Sequence, residues 1–372
     1  MSNHLSSLTK IPLRKFKVFG LLLIVPFFIG HFYHSARSIY YGVFDHLDWK
    51  ILQYEISYFD FGFIRRGVIG SLLNPWFSVL EKSEKLLLIY AIEFVIISAF
   101  VLTFVSVVEQ KSVKREVRKF YYLLMMLSPV GLSAWWFDIG RFDHINFLIL
   151  FLVLHLIENK KFFIASMCCV VAIFIHEAFA FYGLILAVCF LHLNIRKGLD
   201  DVNQLIRIST FALPPIVAMA FLYMYGNVED LSALSYLEQQ YGSAYRVWDR
   251  KFIEPRFNFT IFSTVSTLIL LSSIWILFIN RALIKELNLY YVACLVGPLV
   301  LFLAGYDYAR WISIVFFSSL IFHVYTQGKN KLSSKTHRYA YMLLILPLGP
   351  IGIGELFPYI HIIFRNLGLS II

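Results

Sequence analysis

Four ionisable residues fall within seven positions of an otherwise apolar stretch, AWWFDIGRFDHINFL at 134–148: Asp138, Arg141, Asp143 and His144. A charged side chain at membrane depth costs on the order of several kcal/mol, so a sequence keeps such groups for a site, a pathway or a structural pair. Acids and a histidine can move protons, and an arginine can hold an anion. The stretch is therefore a candidate wall of a binding site, with Arg141 as its main ligand contact.

A second polar motif, DFGFIRRGVIG at 60–70, combines Asp60 with the adjacent arginines Arg65 and Arg66. Each guanidinium offers a planar fork of donors, and two together suit a phosphate or diphosphate. The three glycines of the motif permit tight turns and close backbone approach. An interfacial helix whose arginines reach lipid headgroups is the alternative interpretation.

The segment FIHEAF places His176 and Glu177 between two apolar runs with almost no loop around them. Desolvation would raise the pKa of such a carboxylate unless an arginine compensates, and a carboxylate with a raised pKa can act as a general base. The alternative is a polar pair that locks helix packing. Patterns such as HExxH are absent, so a divalent metal is only weakly signalled and no metal ligand is assigned.

The spacing Asp-x-x-Arg occurs twice, at Asp138–Arg141 and at Asp307–Arg310. Residues three apart share one face of a helix and can form an ion pair. Such a pair could simply cap a span, or it could preset the arginine to hold a ligand phosphate. Both interpretations remain open for Arg310. A ligand role is favoured for Arg141, because Asp143 and His144 add ionisable groups beside it.

The composition places these motifs in a membrane protein. Hydrophobic residues make up 59% of the 372-residue chain and charged residues 15%, whereas soluble domains carry about 25% charged residues. Solidly apolar runs without period-two alternation predict helices and disfavour a β-barrel. We therefore expect an all-α polytopic bundle of about eleven spans, forming one integral membrane domain over 1–372. The predicted spans lie near 18–35, 86–107, 120–137, 145–157, 162–175, 178–193, 208–225, 259–279, 288–304, 311–325 and 340–358.

The charges predict an orientation for this bundle. With the N-terminus in the cytoplasm, alternating spans collect most lysines and arginines on the cytoplasmic side, as the positive-inside rule requires. The excess is spread over short loops, which excludes nucleic acid as the partner. The polar motifs then all lie on the outer side. There the long loops 36–85 and 226–258 are rich in aromatic residues, which predicts interfacial helices.

Three classes of function remain. A one-sided cluster of arginines, carboxylates and aromatic residues fits an enzyme acting on a lipid-linked substrate. A transporter or flippase would place polar residues deep within several spans, and charges in the middle of the predicted spans are nearly absent apart from Glu93. A scaffold requires no polar cluster. The enzyme therefore ranks first and the transporter second.

In size, span number and outward polar loops, the chain resembles two groups of bacterial surface-polysaccharide enzymes. These are the O-antigen and capsule polymerases of the Wzy type and the GT-C-fold glycosyltransferases that use polyprenyl-linked sugars. The GT-C enzymes carry an acid in the first outer loop, where this chain has FDHLDWKILQYEISYFDFGF, with Asp48 and Asp60 as the matching residues. The chain lacks the polymerases' single dominant outer loop and their RX10G motif.

This resemblance implies a GT-C-like bundle in a bacterial inner membrane and an outer-face glycosyl transfer from a polyprenyl-diphosphate sugar. An O-antigen or capsule polymerase is the first expectation, a single-addition GT-C transferase using a polyprenyl-phosphate sugar the second, and a polysaccharide or lipid transporter the third. It implies no cofactor, with the undecaprenyl-type lipid-linked oligosaccharide as substrate. The bilayer and other polysaccharide-assembly membrane proteins are the implied partners.

The implied mechanism divides the candidate residues by role. The leaving diphosphate would be held by the arginines of the outer loops, with support from their neighbouring acids and histidine. The proton of the acceptor hydroxyl would pass to a carboxylate. The catalytic candidates are Asp48, Asp60, His176 and Glu177. The substrate-binding candidates are Arg65, Arg66, Asp138, Arg141, Asp143, His144, Asp307 and Arg310.

Overall fold

A computed structural model describes residues 48–111, 115–128, 130–137, 139–196, 200–227, 231–241, 261–278, 284–303 and 308–327. The described residues form helices and no strands, which confirms the predicted all-α class. The predicted spans at 18–35 and 340–358 lie outside these residues, as does most of the second long loop.

Fourteen α-helices are numbered here within the described residues. The first half contains α1 (Asp48–Glu55), α2 (Tyr58–Phe61), α3 (Gly67–Phe77), α4 (Lys82–Lys111), α5 (Arg115–Leu127), α6 (Leu132–Phe137) and α7 (Asp143–Glu158). The second half contains α8 (Phe162–Ile175), α9 (Ile185–Ile195), α10 (Asp201–Tyr225), α11 (Leu231–Tyr241), α12 (Ile261–Phe278), α13 (Ile284–Leu299) and α14 (Tyr308–Gln327). A π-helical turn (Ala180–Leu184) precedes α9, and a 3-10 turn (Val300–Leu303) follows α13.

Two of the described helices, α4 and α10, are long and apolar enough to cross a membrane. At about 1.5 Å per residue, the 30 residues of α4 and the 25 residues of α10 exceed the roughly 30 Å of a hydrocarbon core. Helix α10 exposes large apolar side chains along much of its length, among them Leu205, Leu213 and Val217. These features support a membrane protein.

The predicted span at 120–137 is interrupted, because the chain turns between α5 and α6. Gly131 lies in this turn, and a Cβ added there would come within 2.4 Å of the Met125 carbonyl oxygen. Only a residue without a side chain fits so close an approach. The apolar run therefore divides into a 13-residue helix and a six-residue helix, each too short to cross a bilayer alone.

The first long loop folds into the three short helices α1, α2 and α3 rather than extending away from the bundle. Helix α1 packs on both α3 and α4. Gly70 of α3 allows this packing, because a Cβ there would lie 1.8 Å from the Ile56 carbonyl oxygen. The loop that carries Asp60 and the two arginines is thus held against the helical core.

An aromatic cluster joins the helices that carry the buried polar groups. The Trp135 ring lies 4.5 Å from the Phe100 ring of α4 and 4.3 Å from the Phe317 ring of α14. Phe147 of α7 packs on the same Trp135 ring at 5.5 Å. These contacts bring α4, α7 and α14 together beside the α8–α9 connection, where His176 and Glu177 lie.

Candidate active site

Arg66 forms a two-pronged ion pair with Glu177. Its Nε donates to Glu177 Oε2 at 3.0 Å and its Nη2 to Oε1 at 2.5 Å. Arg66 adopts a left-handed backbone conformation, with φ of 63°, at the start of α3, a conformation uncommon outside glycine. This unusual backbone places the first-loop guanidinium on an acid 111 positions later in the chain.

The ion pair decides the charge of Glu177. Burial acts to raise the pKa of Glu177, but the positive charge of Arg66 and the hydrogen bonds from it outweigh burial and hold the pKa well below its usual value. Glu177 is therefore ionised at neutral pH and is a weak proton acceptor. The sequence predicts a raised pKa for Glu177 unless an arginine lies beside it, but it does not show which arginine does so.

A second buried pair joins Asp143 to Arg310. Arg310 Nε and Nη2 each lie 2.5 Å from Asp143 Oδ2, and Nη2 also lies 2.7 Å from His176 Nε2. The three residues are 8% exposed or less. Arg310 thus pairs with an acid of α7. The predicted local partner, Asp307, lies outside the described residues.

His176 lies between donors on both sides. The backbone nitrogen of Ala178 lies 3.1 Å from its Nδ1, and Arg310 Nη2 lies 2.7 Å from its Nε2. A neutral imidazole accepts a hydrogen bond at one of these two nitrogens. Burial, followed by the charge of Arg66, lowers the pKa of His176 to about 3. The imidazole is accordingly neutral at pH 7 and sits inside the helical core.

This lowered pKa makes the stability of the protein sensitive to acid. The unfolded state binds a proton at His176 below pH about 6.5, whereas the folded state does not until pH about 3. The free energy of unfolding should therefore fall as the pH drops below 6.5, approaching about 1.4 kcal/mol per pH unit from this residue.

Replacing this histidine tests the assignment. The free energy of unfolding of His176→Gln, measured from pH 7 to 5, should change less steeply with pH than that of the wild type. A control substitution at the exposed His155, His155→Gln, should retain the wild-type slope, and equal slopes in both variants would contradict the assignment.

Glu93 forms a third buried cluster, with Tyr54 and His144. Tyr54 Oη donates to Glu93 Oε1 at 2.6 Å, and His144 Nδ1 lies 2.5 Å from Glu93 Oε2. The Trp135 ring covers the imidazole of His144 at 4.5 Å. Sequence reasoning singled out Glu93 only as a charge within a span and missed Tyr54. An isolated acid in an apolar helix was the available signal for a partner in another helix.

Arg141 lies against Trp49, whereas Asp143 binds Arg310 and His144 binds Glu93. The Arg141 guanidinium lies 4.1 Å from the centre of the Trp49 ring, and Lys50 Nζ lies 5.3 Å from the same centre. Gly140, with φ of 99°, sits against the Lys50 side chain. Two cations therefore meet on one aromatic ring at the start of α1. Asp138, the predicted partner of Arg141, lies outside the described residues.

Asp60 lines a cavity of about 520 Å³ between the first-loop helices and α11. Asn74 Nδ2 donates to its Oδ2 at 2.9 Å, and the Ser57 hydroxyl donates to the same oxygen. Glu55, at the end of α1, lines the cavity as well. Asp48 begins α1, and its side chain lies outside the described residues.

Arg65 contributes mainly to the closure of the first loop. Its backbone N–H donates to the Gly226 carbonyl at 2.8 Å, which joins the loop to the end of α10. A Cβ at Gly226 would come within 2.5 Å of Arg65 Cγ. Burial and the neighbouring Arg66 lower the pKa of Arg65, while Glu177 raises it.

The structure thus separates the predicted residues into a buried ionic network and two more open regions. The network contains Arg66, Asp143, His144, His176, Glu177 and Arg310, together with Glu93 and Tyr54. Asp60 lines the cavity, and Arg141 lies on Trp49. Within the described part of the chain, no three His, Cys, Asp or Glu residues come together in a group that could hold a metal ion.

Comparison with known proteins adds no family to these observations. No family model, curated protein or solved structure matches the chain. The class defined by the described residues is an all-helical protein with two helices able to cross a membrane, a buried ionic network and a carboxylate-lined cavity.

Proposed function

We propose that the protein is an integral membrane glycosyltransferase that acts on polyprenyl-diphosphate-linked sugars at the outer face of a bacterial inner membrane. Polymerisation of an O-antigen or capsular repeat is the first form of this proposal, and addition of a single sugar in the GT-C manner is the second. The proposal includes the bundle of about eleven spans, with a cytoplasmic N-terminus. The observation that carries it is the cavity of about 520 Å³ beside Asp60.

The lining of this cavity suits a sugar. Ligand sites combine apolar walls with a few well-placed polar groups that set orientation. Here Phe77 and Tyr236 supply aromatic surface, while Asp60 and Asn74 supply a carboxylate and an amide. Aromatic faces can pack on a sugar ring as the polar groups bind its hydroxyls.

Asp60 is the proposed general base. Asn74 and Ser57 donate hydrogen bonds to one of its oxygens and thereby fix the orientation of the carboxylate. The other oxygen could accept the proton of an acceptor hydroxyl as that hydroxyl attacks the donor sugar. The carbon–oxygen bond to the diphosphate breaks in the same step, and the lipid diphosphate departs.

Arg141 and Lys50 are the proposed contacts for this diphosphate, because they lie together on Trp49. Glu55 at the cavity lies six positions after Trp49, which corresponds to about 9 Å along the axis of α1. One short helix thus carries a cationic end and a sugar-binding end. Arg66 and Arg310 already bind carboxylates, so we assign them to positioning rather than to the phosphates.

The decisive test is Asp60→Asn, which keeps the side-chain shape and removes the base. Loss of a general base typically lowers a rate by about 10²–10⁴-fold. In a strain whose own copy of the gene is deleted, we expect this variant to restore less than about 1% of glycan extension at wild-type protein level. Glu81→Gln, which neutralises an exposed acid just before α4, is the matched control and should restore extension fully.

The size of the glycan distinguishes the two forms of the proposal. Loss of a polymerase collapses a ladder of lipid-linked products to one repeat unit. Loss of a single-addition transferase leaves the ladder but removes one sugar from each unit. Full complementation by Asp60→Asn, or an unchanged glycan in the deletion strain, would reject the glycosyltransferase.

The buried network favours a transporter or flippase as a second candidate. Transporters place ionisable groups among several helices. Here Glu93 meets His144 between α4 and α7, and Arg310 meets Asp143 between α14 and α7. For a flippase, Glu93→Gln should leave complete lipid-linked glycan in the cytoplasmic leaflet, where a glycosidase added to intact spheroplasts cannot reach it. Incomplete glycan that the glycosidase reaches would favour the enzyme.

A further inference from the structure

The described residues around the cavity beside Asp60 leave one negative charge unbalanced. Of the described residues that line it, Glu55 and Asp60 are the charged ones. Lys85 forms an ion pair with Glu55 and balances that carboxylate. The hydrogen-bond partners of Asp60, Ser57 and Asn74, are neutral. An ionised Asp60 therefore gives the cavity a net charge that a ligand must tolerate.

The geometry of the walls places a ligand close to this charge. Helix α11 covers one side with Ala233, Tyr236 and Leu237, and α1 and α3 form the opposite side. Asp60 and Tyr236 are exposed, so water reaches the cavity and partly screens the charges within it. At about 4 Å, two like charges repel by about 1 kcal/mol in water and by about 4 kcal/mol at the effective dielectric of a protein surface.

We propose that this cavity selects its sugar by charge, accepting a neutral hexose or an amino sugar and rejecting a uronic acid. A protonated amine is attracted to Asp60, and a hydroxyl can donate a hydrogen bond to it. A sugar carboxylate can do neither and is repelled. This inference rests on the proposed function, because it names the class of substrate that the same site accepts.

Direct binding of monosaccharides to the purified protein in detergent tests the inference. Methyl glycosides of glucose, glucosamine and glucuronic acid differ chiefly in charge, and competition in saturation-transfer NMR at pH 7 ranks their affinities. We expect the glucuronide to bind at least about tenfold more weakly than the glucoside, which corresponds to about 1.4 kcal/mol. The glucosaminide should bind as tightly as the glucoside or more tightly. Raising the salt concentration from about 0.05 M to about 0.5 M should reduce the differences in affinity between the three sugars.

Two variants separate charge from shape. Asp60→Asn should bring the three affinities to within about threefold of one another, because the unbalanced charge is gone. Tyr236→Ala removes a half-exposed aromatic wall and should weaken all three ligands while preserving their ranking. A ranking that survives Asp60→Asn would show that another group sets the selectivity and would overturn the inference.

The outcomes also distinguish this inference from the proposed function. Equal binding of the three sugars, tightest binding of the glucuronide, or no binding of any would overturn charge selection, even if Asp60→Asn abolishes glycan extension. Selective binding by a protein whose Asp60→Asn variant extends glycan normally would support the cavity's selectivity and reject the transferase.

Discussion

Replacing Arg310 by methionine should lower the free energy of unfolding by about 3–5 kcal/mol, because it leaves the buried Asp143 carboxylate without its cation. Both Arg310 nitrogens that face Asp143 lie 2.5 Å from its Oδ2, and both residues are less than a tenth exposed. Thermal or denaturant unfolding of the purified protein in detergent measures the loss. Arg207→Met, at an exposed arginine of α10, is the matched control and should cost less than about 1 kcal/mol.

The double variant Arg310→Met/Asp143→Leu tests the physical cause. Removing both charges also removes the cost of burying an unpaired one, so the double variant should regain most of the lost stability. Equal losses in the single and double variants would mean that the guanidinium contributes through packing on Trp311 rather than through its charge. The Arg310 guanidinium lies 4.6 Å from the centre of that ring, a cation–π contact that contributes to stability apart from the ion pair.

The buried pairs change the roles expected for the arginines. A guanidinium bound on two sides by a carboxylate has few donors left for a phosphate, and breaking the pair costs stability. Arg66 and Arg310 are in this position. The sequence alone favours a ligand role for Arg141 and leaves both interpretations open for Arg310.

Local patterns predict the helices well and their tertiary partners poorly. Helices α7, α8 and α14 follow the apolar runs predicted at 145–157, 162–175 and 311–325 closely. Such runs report burial, which each segment of the chain encodes by itself. The break between α5 and α6 has a close backbone approach of Gly131 to Met125, a local turn geometry that hydropathy does not detect.

The polar residues illustrate the same limit. The short segment around His176 and Glu177 predicts an acid in need of a partner, and the structure supplies Arg66. The Asp-x-x-Arg spacing suggests a local partner for Arg310, but it gives no sign of Asp143, which binds Arg310 from 167 positions away. Ion pairs between helices depend on which helices are neighbours, so spacing within one helix cannot reveal them.

Breaking the Arg66–Glu177 pair should have the second-largest effect on stability. Arg66→Asn removes the guanidinium while retaining a residue type that tolerates the left-handed backbone at φ of 63°. It leaves the mostly buried Glu177 carboxylate without its main cation, and we expect a loss of about 2–4 kcal/mol. Glu177→Gln in the same background should recover at least half of that loss.

The same single and double variants decide whether the Arg66–Glu177 pair is structural or takes part directly in the reaction. If Arg66 only positions the first loop, glycan extension should follow the amount of folded protein, and Arg66→Asn/Glu177→Gln should regain both together. If Arg66 binds the phosphates, the double variant should regain stability and remain inactive. The measurement is glycan extension per unit of folded protein in membranes, with Arg207→Met as the reference. Because Arg66 already gives two donors to Glu177, we expect activity to return with stability.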